Sequence, residues 1–341
     1  MTPPSEPSDH IYKNGLTVVG SPRLGGMVPS PEVLKQGRVT ESVDEVGRPN
    51  SSTRELLRRI PSVRNGVSVV SVFAQTALLI YVAVHFGPIM WIPVFVLMGR
   101  AHAQFASLMH ESAHRLLFKH RGANDWVGNW LLGFPVITST PAYRRVHMAH
   151  HREEFGPDEP DIPLYANYPI TADSFRRKLV RDATGQTGIK LFRNQLRGFR
   201  SPDVRVRRTL LKMTLVQLIV VSTFSAVGHP WLYLTMFVLP YFTLWRVINR
   251  LRSIAEHGGL RADDDRRIAT HSVAQHPIAR FYLVPYNIGF HLAHHVDAGV
   301  PFRHLPKYHA LLRKSQYVDD SYEYPSYGAL WKAASGFPLR P

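Results

Sequence analysis

Two pairs of apolar stretches set the first constraint on this chain. Residues 67–86 (VSVVSVFAQTALLIYVAVHF) are long enough to cross a bilayer core, which takes about 20 helical residues. Gly87-Pro88 breaks the run, and residues 89–109 (IMWIPVFVLMGRAHAQFASLM) form a second stretch. The pattern returns at residues 210–227 and 231–248, separated by Gly228-His229-Pro230. Each pair reads as a tight helical hairpin, because Gly and Pro punctuate helices. Arg100, His102, Lys212 and Gln217 interrupt the apolar runs. Ionisable groups at membrane depth face the bundle interior, so these four are expected to point inward.

Charge orients the hairpins. Arg54, Arg58, Arg59 and Arg64 precede the first stretch, and Arg115, Lys119 and Arg121 follow the second. Arg205, Arg207 and Arg208 precede the third, while Arg246, Arg250 and Arg252 end the fourth. Neither hairpin tip carries Lys or Arg. The positive-inside rule then puts both termini on the cytoplasmic side. A formal net charge of +16 could suggest nucleic acid. Membrane topology and anionic headgroups explain it better, and no nucleic-acid partner is expected.

Three histidine clusters fall at the basic, cytoplasmic ends of these stretches. They are His110-Glu111-Ser112-Ala113-His114, His147-Met148-Ala149-His150-His151 and His291-Leu292-Ala293-His294-His295. With 18 His in 341 residues, HxxxH alone carries little information. An HxxHH is expected by chance only about 0.05 times in such a chain, so two are a strong signal. On a helix, residues i, i+3 and i+4 share a face, so each box can aim two or three imidazoles at one point. Imidazole is a common nitrogen ligand for iron, zinc and copper. The chain has no Cys, which excludes disulfides, zinc ribbons and cysteine-held iron–sulfur clusters.

Around this frame, residues 1–50 are rich in Pro, Ser and Gly and read as a flexible tail ahead of a single domain at 51–341. No apolar h-region lies near Met1, so the first stretch itself is expected to direct insertion. Residues 128–138 (GNWLLGFPVIT) are apolar but too short to span, which suits an interfacial or re-entrant segment. Residues 152–208 read as a cytoplasmic insert, and residues 249–341 as a C-terminal cytoplasmic region. In the insert, Arg176, Arg177, Lys178, Arg181, Arg193 and Arg197 form either a solvated face or an attractor for an anionic carrier, headgroup or acidic electron donor.

The order HxxxH, HxxHH, HxxHH after membrane hairpins resembles the membrane fatty-acid desaturase superfamily, over roughly residues 64–333. Asp158-Glu159-Pro160-Asp161 is similar to that family's acidic turn after the second box. Asn287-Ile288-Gly289-Phe290-His291 resembles the entry to the third box of sphingolipid and related bacterial desaturases, and Pro301-Phe302-Arg303-His304-Leu305-Pro306 with His309 resembles the proline-rich tail after it. The resemblance implies an all-α integral membrane protein: four transmembrane helices in two hairpins, with a cytoplasmic helical cap carrying the histidine site. It also implies a bacterial cytoplasmic membrane.

The resemblance further implies a non-haem di-iron centre using dioxygen, with a ninth ligand just past the fourth span. His257 stands there, so the implied ligands are His110, His114, His147, His150, His151, His257, His291, His294 and His295. Asn249, Ser253 or Asn287 is then the candidate to hold a metal-bound water. Glu111, Glu256, Asp158, Asp161 and Asp297 are candidates either to orient ligand rings or to remain surface charge. His102 reads as a hydrogen-bonded interior residue rather than a tenth ligand. His120, His271, His276, His304 and His309 lack matched spacing and read as surface or packing residues.

The activity so implied is oxygen-dependent desaturation of a fatty acyl or related lipid chain. A hydroxylase or ketolase acting on a lipid, sphingoid or carotenoid chain would share the scaffold, and box spacing does not separate them. A non-catalytic zinc-binding or transport module is a third reading, opposed by clusters that fall outside the membrane stretches. The chain has no flavin or nicotinamide fingerprint and no fused haem module, so electrons are expected from a separate ferredoxin or cytochrome b5-like donor.

Overall fold

The computed structural model describes residues 22–156, 159 and 161–336, and among them it is helical, with isolated bridges but no extended strand. A short helix α1 (Ser51–Leu57) is capped by the Asn50 side chain, which accepts from Thr53 N at 2.9 Å. It leads into α2 (Ser62–Phe86) and α3 (Pro88–Ala113), which form the first hairpin. Each is about 38 Å long at 1.5 Å per residue, enough to cross a bilayer. Gly87 at the tip has φ +60 and ψ −146, a conformation that side chains with a Cβ avoid, so glycine permits the reversal. Pro88 then starts α3, where a missing N–H costs nothing.

The second box lies on α4 (Thr140–Arg152), capped by Ser139. The insert forms α5 (Ala172–Ala183) and α6 (Gln186–Arg197). The third span is α7 (Val204–Ala226), and the fourth runs Pro230–His257. That last span is broken. A π-helical piece (Tyr233–Val238) precedes Pro240, and Thr243 leaves helical geometry before α8 (Leu244–His257) resumes. Pro lacks the N–H that an unbroken ladder needs, which accounts for the irregularity. Helices α9 (Pro277–Tyr282), α10 (His291–Val296), α11 (Leu305–Lys314) and α12 (Tyr327–Ala334) complete the chain. Four helical segments are long and apolar enough to span a membrane, and the chain is a multi-pass membrane protein.

The helices outrun the apolar stretches. Sequence composition set the spans at 67–86, 89–109, 210–227 and 231–248, whereas the helices reach Ser62, Ala113, Val204 and His257. Backbone hydrogen bonding continues a helix past the point where its side chains turn polar. His110 and His257 therefore ride on the last turns of spans rather than on separate elements.

Arg100, His102 and Gln217 face partners inside the spans, as expected. Lys212 is instead exposed on α7, its long side chain free to reach outward from near the helix's basic end. Gln217 donates to the carbonyls of Phe134 (2.6 Å) and Pro135 (3.0 Å), and accepts from Tyr233 OH at 2.7 Å. Those carbonyls belong to the short apolar segment, here a π turn (Val127–Gly133) and a 3-10 turn (Phe134–Val136). A side chain on α7 thus donates to two carbonyls of an irregular turn, of which Phe134 O also accepts the Ile137 N–H at 3.1 Å. Arg100 donates to the Phe281 carbonyl (2.7 Å), Gln75 (2.7 Å) and Gln104 (2.9 Å).

Two regions depart from the sequence reading. Residues 22–50, read with 1–21 as a flexible tail, are packed in place, and residues 1–21 lie outside the described residues. Met27 N donates to Gly259 O (2.8 Å), Arg38 N to Ser315 O (2.6 Å), and Arg267 reaches Lys35 O at 2.7 Å. A segment without periodicity becomes ordered because the cap supplies partners for its backbone. Residues 277–282, read as part of a cytoplasmic region, run beside the middle of α3: Tyr282 OH donates to Val96 O at 3.1 Å. Their exposed Ile278 and Phe281 side chains suit that apolar setting.

Candidate metal centre

At the end of the bundle away from Gly87 and Gly228, all nine histidines singled out by sequence come together. Each is delivered by an element whose register is fixed locally. Helix α3 ends with His110 and His114 one turn apart, and α4 carries His147, His150 and His151. Helix α8 contributes His257, and α10 contributes His291, His294 and His295.

The rings sort into two adjoining groups. In the first, ligating nitrogens of His110, His114, His147, His151 and His294 all lie within 4.8 Å of one another. Its Nε2 atoms form a chain: His114 to His147 at 2.9 Å, His147 to His151 at 3.1 Å, His151 to His294 at 3.0 Å. In the second group His150, His257 and His295 converge in the same way, and His291 Nε2 joins at 2.9 Å from His257 and 3.0 Å from His295. His151 and His295 stack across the junction, with ring centroids 4.4 Å apart.

These separations test whether the residues fit a metal. Two imidazole nitrogens each about 2.1 Å from one ion, at a right angle, stand about 3.0 Å apart. Without an ion, neutral Nε2 lone pairs at that distance repel. His110 Nε2 is buried with no hydrogen-bond partner at all. Burial and neighbouring rings push His147, His151, His294, His295 and His291 well below the ordinary histidine pKa. Burial, reinforced by Arg144, holds His114 down at about 3. Neutral imidazole is the form that ligates, so the donor set fits two cations.

Carboxylates and a carbonyl orient the second group. His150 Nδ1 meets Glu159 at 2.5 Å, and His295 Nδ1 meets Glu154, which also pairs with Arg266 at 3.0 Å. His257 Nδ1 lies 2.8 Å from the Ala269 carbonyl. A hydrogen bond at Nδ1 fixes the tautomer and leaves the Nε2 lone pair for an ion. Although burial opposes it, Glu159 raises the His150 pKa.

The acidic candidates drawn from sequence fare differently. Glu256 pairs with Arg252 at 2.6 Å and stands 3.6 Å from His291 Nδ1. Glu111 instead accepts the Phe302 backbone N–H at 3.1 Å, and Asp297 is held by Arg58 at 2.6 Å. Asp161 stands at the N-terminus of the Ile162–Tyr165 turn, and Asp158 lies outside the described residues. Sequence reasoning passed over Glu154 and Glu159. Their signal was present: one lies three residues after His151, the other inside the acidic turn already noted.

The water-holding candidates and spare histidines also resolve. Asn287 accepts from Arg280 (2.8 Å) and donates to Phe302 O (3.3 Å), while Ser253 donates to Asn249 O at 2.8 Å. His102 bonds the Phe237 carbonyl at 2.8 Å, and His271 bonds Gly258 O at 2.8 Å. His304 bonds Leu57 O at 2.6 Å, His309 pairs with Glu323 at 3.1 Å, and His120 and His276 cap short helices.

Comparison with known proteins places the chain in a family. The sequence pattern of the fatty acid desaturase family matches residues 86–328, more than two thirds of the chain, and includes all three boxes. Delta(5) fatty acid desaturase fat-4 of Caenorhabditis elegans is 42% identical over 65 residues. That alignment covers 18% of this chain and 14% of the nematode protein.

Proposed function

Because the chain belongs to the fatty acid desaturase family, we propose that it is an oxygen-dependent desaturase of a fatty acyl or related lipid chain whose nine clustered histidines hold two iron ions. The observation that carries this reading is the pair of adjoining imidazole groups with ligating nitrogens 2.9–3.1 Å apart. His110, His114, His147, His151 and His294 would hold one ion, and His150, His257, His291 and His295 the other. Imidazole accepts iron, zinc or copper, and dioxygen chemistry selects iron. When bound there, iron supplies the dioxygen-dependent oxidation of an unactivated methylene pair. Overall, two C–H bonds are lost and one C=C forms; the two hydrogens so removed, with dioxygen, two external electrons and two protons, give two waters.

The chain's own residues orient and exclude. Glu159, Glu154 and the Ala269 carbonyl fix three rings of the second group. Phe155, Tyr165, Leu260 and Ala269 form an apolar packing layer, joined by Leu24, Met27 and Val28 from the ordered N-terminal segment. Phe155 and Tyr165 pack directly against the His257 ring. Along α8, an apolar groove of about 450 Å³ is lined by Leu244, Val247, Ile248 and Leu251, and faced by Ile278 and Trp331. Its lining suits an acyl chain lying on the helix that ends in His257.

The boxes then lie on the cytoplasmic side, as the Arg and Lys distribution indicates. Expression in a host with a ferredoxin or cytochrome b5-like donor system tests the reading. The expected result is two irons per chain in the purified protein and lipids with an added double bond. Zinc in place of iron under iron-replete conditions, or lipids gaining oxygen instead of unsaturation, would overturn it.

A further inference from the structure

The metal centre has a second feature that its ligands do not explain. A solvent-open mouth of about 420 Å³ reaches His151 and His295, the stacked pair at the junction of the two groups. Its rim carries Arg48, Arg54, Arg58 and Arg266. Arg48 is exposed, and the side chains of Arg54, Arg58 and Arg266 are 45%, 49% and 35% exposed. Asp297 faces Arg58 at 2.6 Å and Arg54 at 3.8 Å, and Glu154 faces Arg266 at 3.0 Å. Two carboxylates thus stand against four guanidinium groups.

The rim is built deliberately close. A Cβ on Gly299 would come within 2.7 Å of Arg58 Nε, so glycine lets that guanidinium lie against the backbone two residues beyond Asp297. Arg48, Arg54 and Arg58 all precede residue 86, outside the part of the chain that the family pattern matches. Three of the four rim arginines thus come from the N-terminal segment, and Arg266 from the matched part of the chain.

We propose that this mouth is the docking surface for an acidic protein that delivers electrons to the centre. The inference rests on the proposed function, because desaturation consumes two electrons and the chain has no cysteine or flavin fingerprint to supply them. Charge complementarity favours an acidic partner, whose approach the unbalanced arginines would steer. The alternative occupant, the anionic head of an acyl carrier, would need an apolar path for its chain. The mouth's apolar side chains are only Pro49, Val296 and Ala298. The mouth is lined by His151 and His295, one from each group, with the His295 ring itself fully buried beneath it.

Binding of two acidic probes, a plant-type [2Fe–2S] ferredoxin and the soluble domain of cytochrome b5, tests this with purified full-length protein in nanodiscs. The variants are Arg48→Glu combined with Arg54→Glu, and a control reversal, Arg193→Glu with Arg197→Glu, on α6. Iron content and thermal stability report whether the centre itself survives, independently of docking. At least one probe should bind, weakening on the order of tenfold with the first pair at low ionic strength and little with the second. The iron content should not change. Failure of both probes to bind the unaltered protein, equal loss with both pairs, or displacement of the probe by an acyl-CoA would overturn the proposal. Loss of iron in the unaltered protein would instead count against the di-iron reading.

Discussion

Glu159 joins His150 to the backbone of the loop that follows it: its carboxylate meets His150 Nδ1 at 2.5 Å and accepts the Phe155 N–H at 2.5 Å. One side chain thereby sets both the direction of a ring and the path of the chain beyond α4. Glu159→Gln keeps the shape but removes the charge. Outer-shell changes of this kind typically lower metal affinity about 10–100-fold. Iron titration of the purified variant should show weaker retention at one of two sites, with helical content unchanged by circular dichroism.

The two groups differ in their surroundings. Recorded Nδ1 partners fall on the second group, through Glu159, Glu154 and Ala269. None of the first-group rings has such a bond among the described residues. Oriented, more basic ligands hold a cation more strongly. Chelation should therefore be biphasic, the first equivalent leaving faster, and Glu154→Gln should bring the two rates together. A single phase in the unaltered protein would contradict the asymmetry.

His102 and His257 both lie in membrane-spanning helices, yet only His257 stands among the clustered imidazoles. His257→Ala removes a nitrogen 2.9 Å from His291, so iron per chain should fall by about half or more. His102→Ala removes a buried hydrogen bond to the Phe237 carbonyl, at a cost of about 0.5–1.5 kcal/mol. Its expected signature is a lower melting temperature with full iron content. The two measurements together separate a ligand from a packing residue.

Gln217 matters for the same reason of backbone accounting. Gln217→Leu would strand the Pro135 carbonyl, at about 1–3 kcal/mol for a group left without a partner, and leave Phe134 O with the Ile137 N–H alone. Thermal unfolding in detergent should shift down by several degrees. Gln217→Glu retains the acceptor for Tyr233 but loses the donor, and should destabilise as well.

Filling the groove along α8 should alter substrate choice before it alters the metal centre. Val247→Trp adds bulk to the lining between Leu244 and Leu251. Lipid profiles should shift towards shorter or fewer desaturated chains, with iron content preserved. An unchanged product distribution would remove the groove from the acyl path.

Much of this was legible in the chain. The glycine and proline breaks at Gly87-Pro88 and Gly228-His229-Pro230 are strong local signals, and the hairpins form there. The histidine spacing works because i, i+3 and i+4 share a helical face whatever the tertiary context. What composition could not reveal was the ordering of residues 22–50, whose hydrogen bonds end on Gly259, Ser315 and Tyr308. The descent of residues 277–282 beside Val96 was equally hidden, since it depends on a partner nearly two hundred positions away.

The sequence by itself determined the elements: which segments are long and apolar enough to cross a membrane, which histidines share a helix face, and that His257 follows the last apolar stretch. Local periodicity and breakers carry that information. Only the tertiary structure decided how nine rings divide into groups of five and four, and which carboxylates orient them. It also turned Glu111 towards Phe302 and Asp297 towards Arg58, leaving Glu154 and Glu159 to face the rings. The physical reason is range. A helix face is fixed by neighbours three and four positions apart, whereas a carboxylate's partner is fixed by loops whose packing closes over the whole chain.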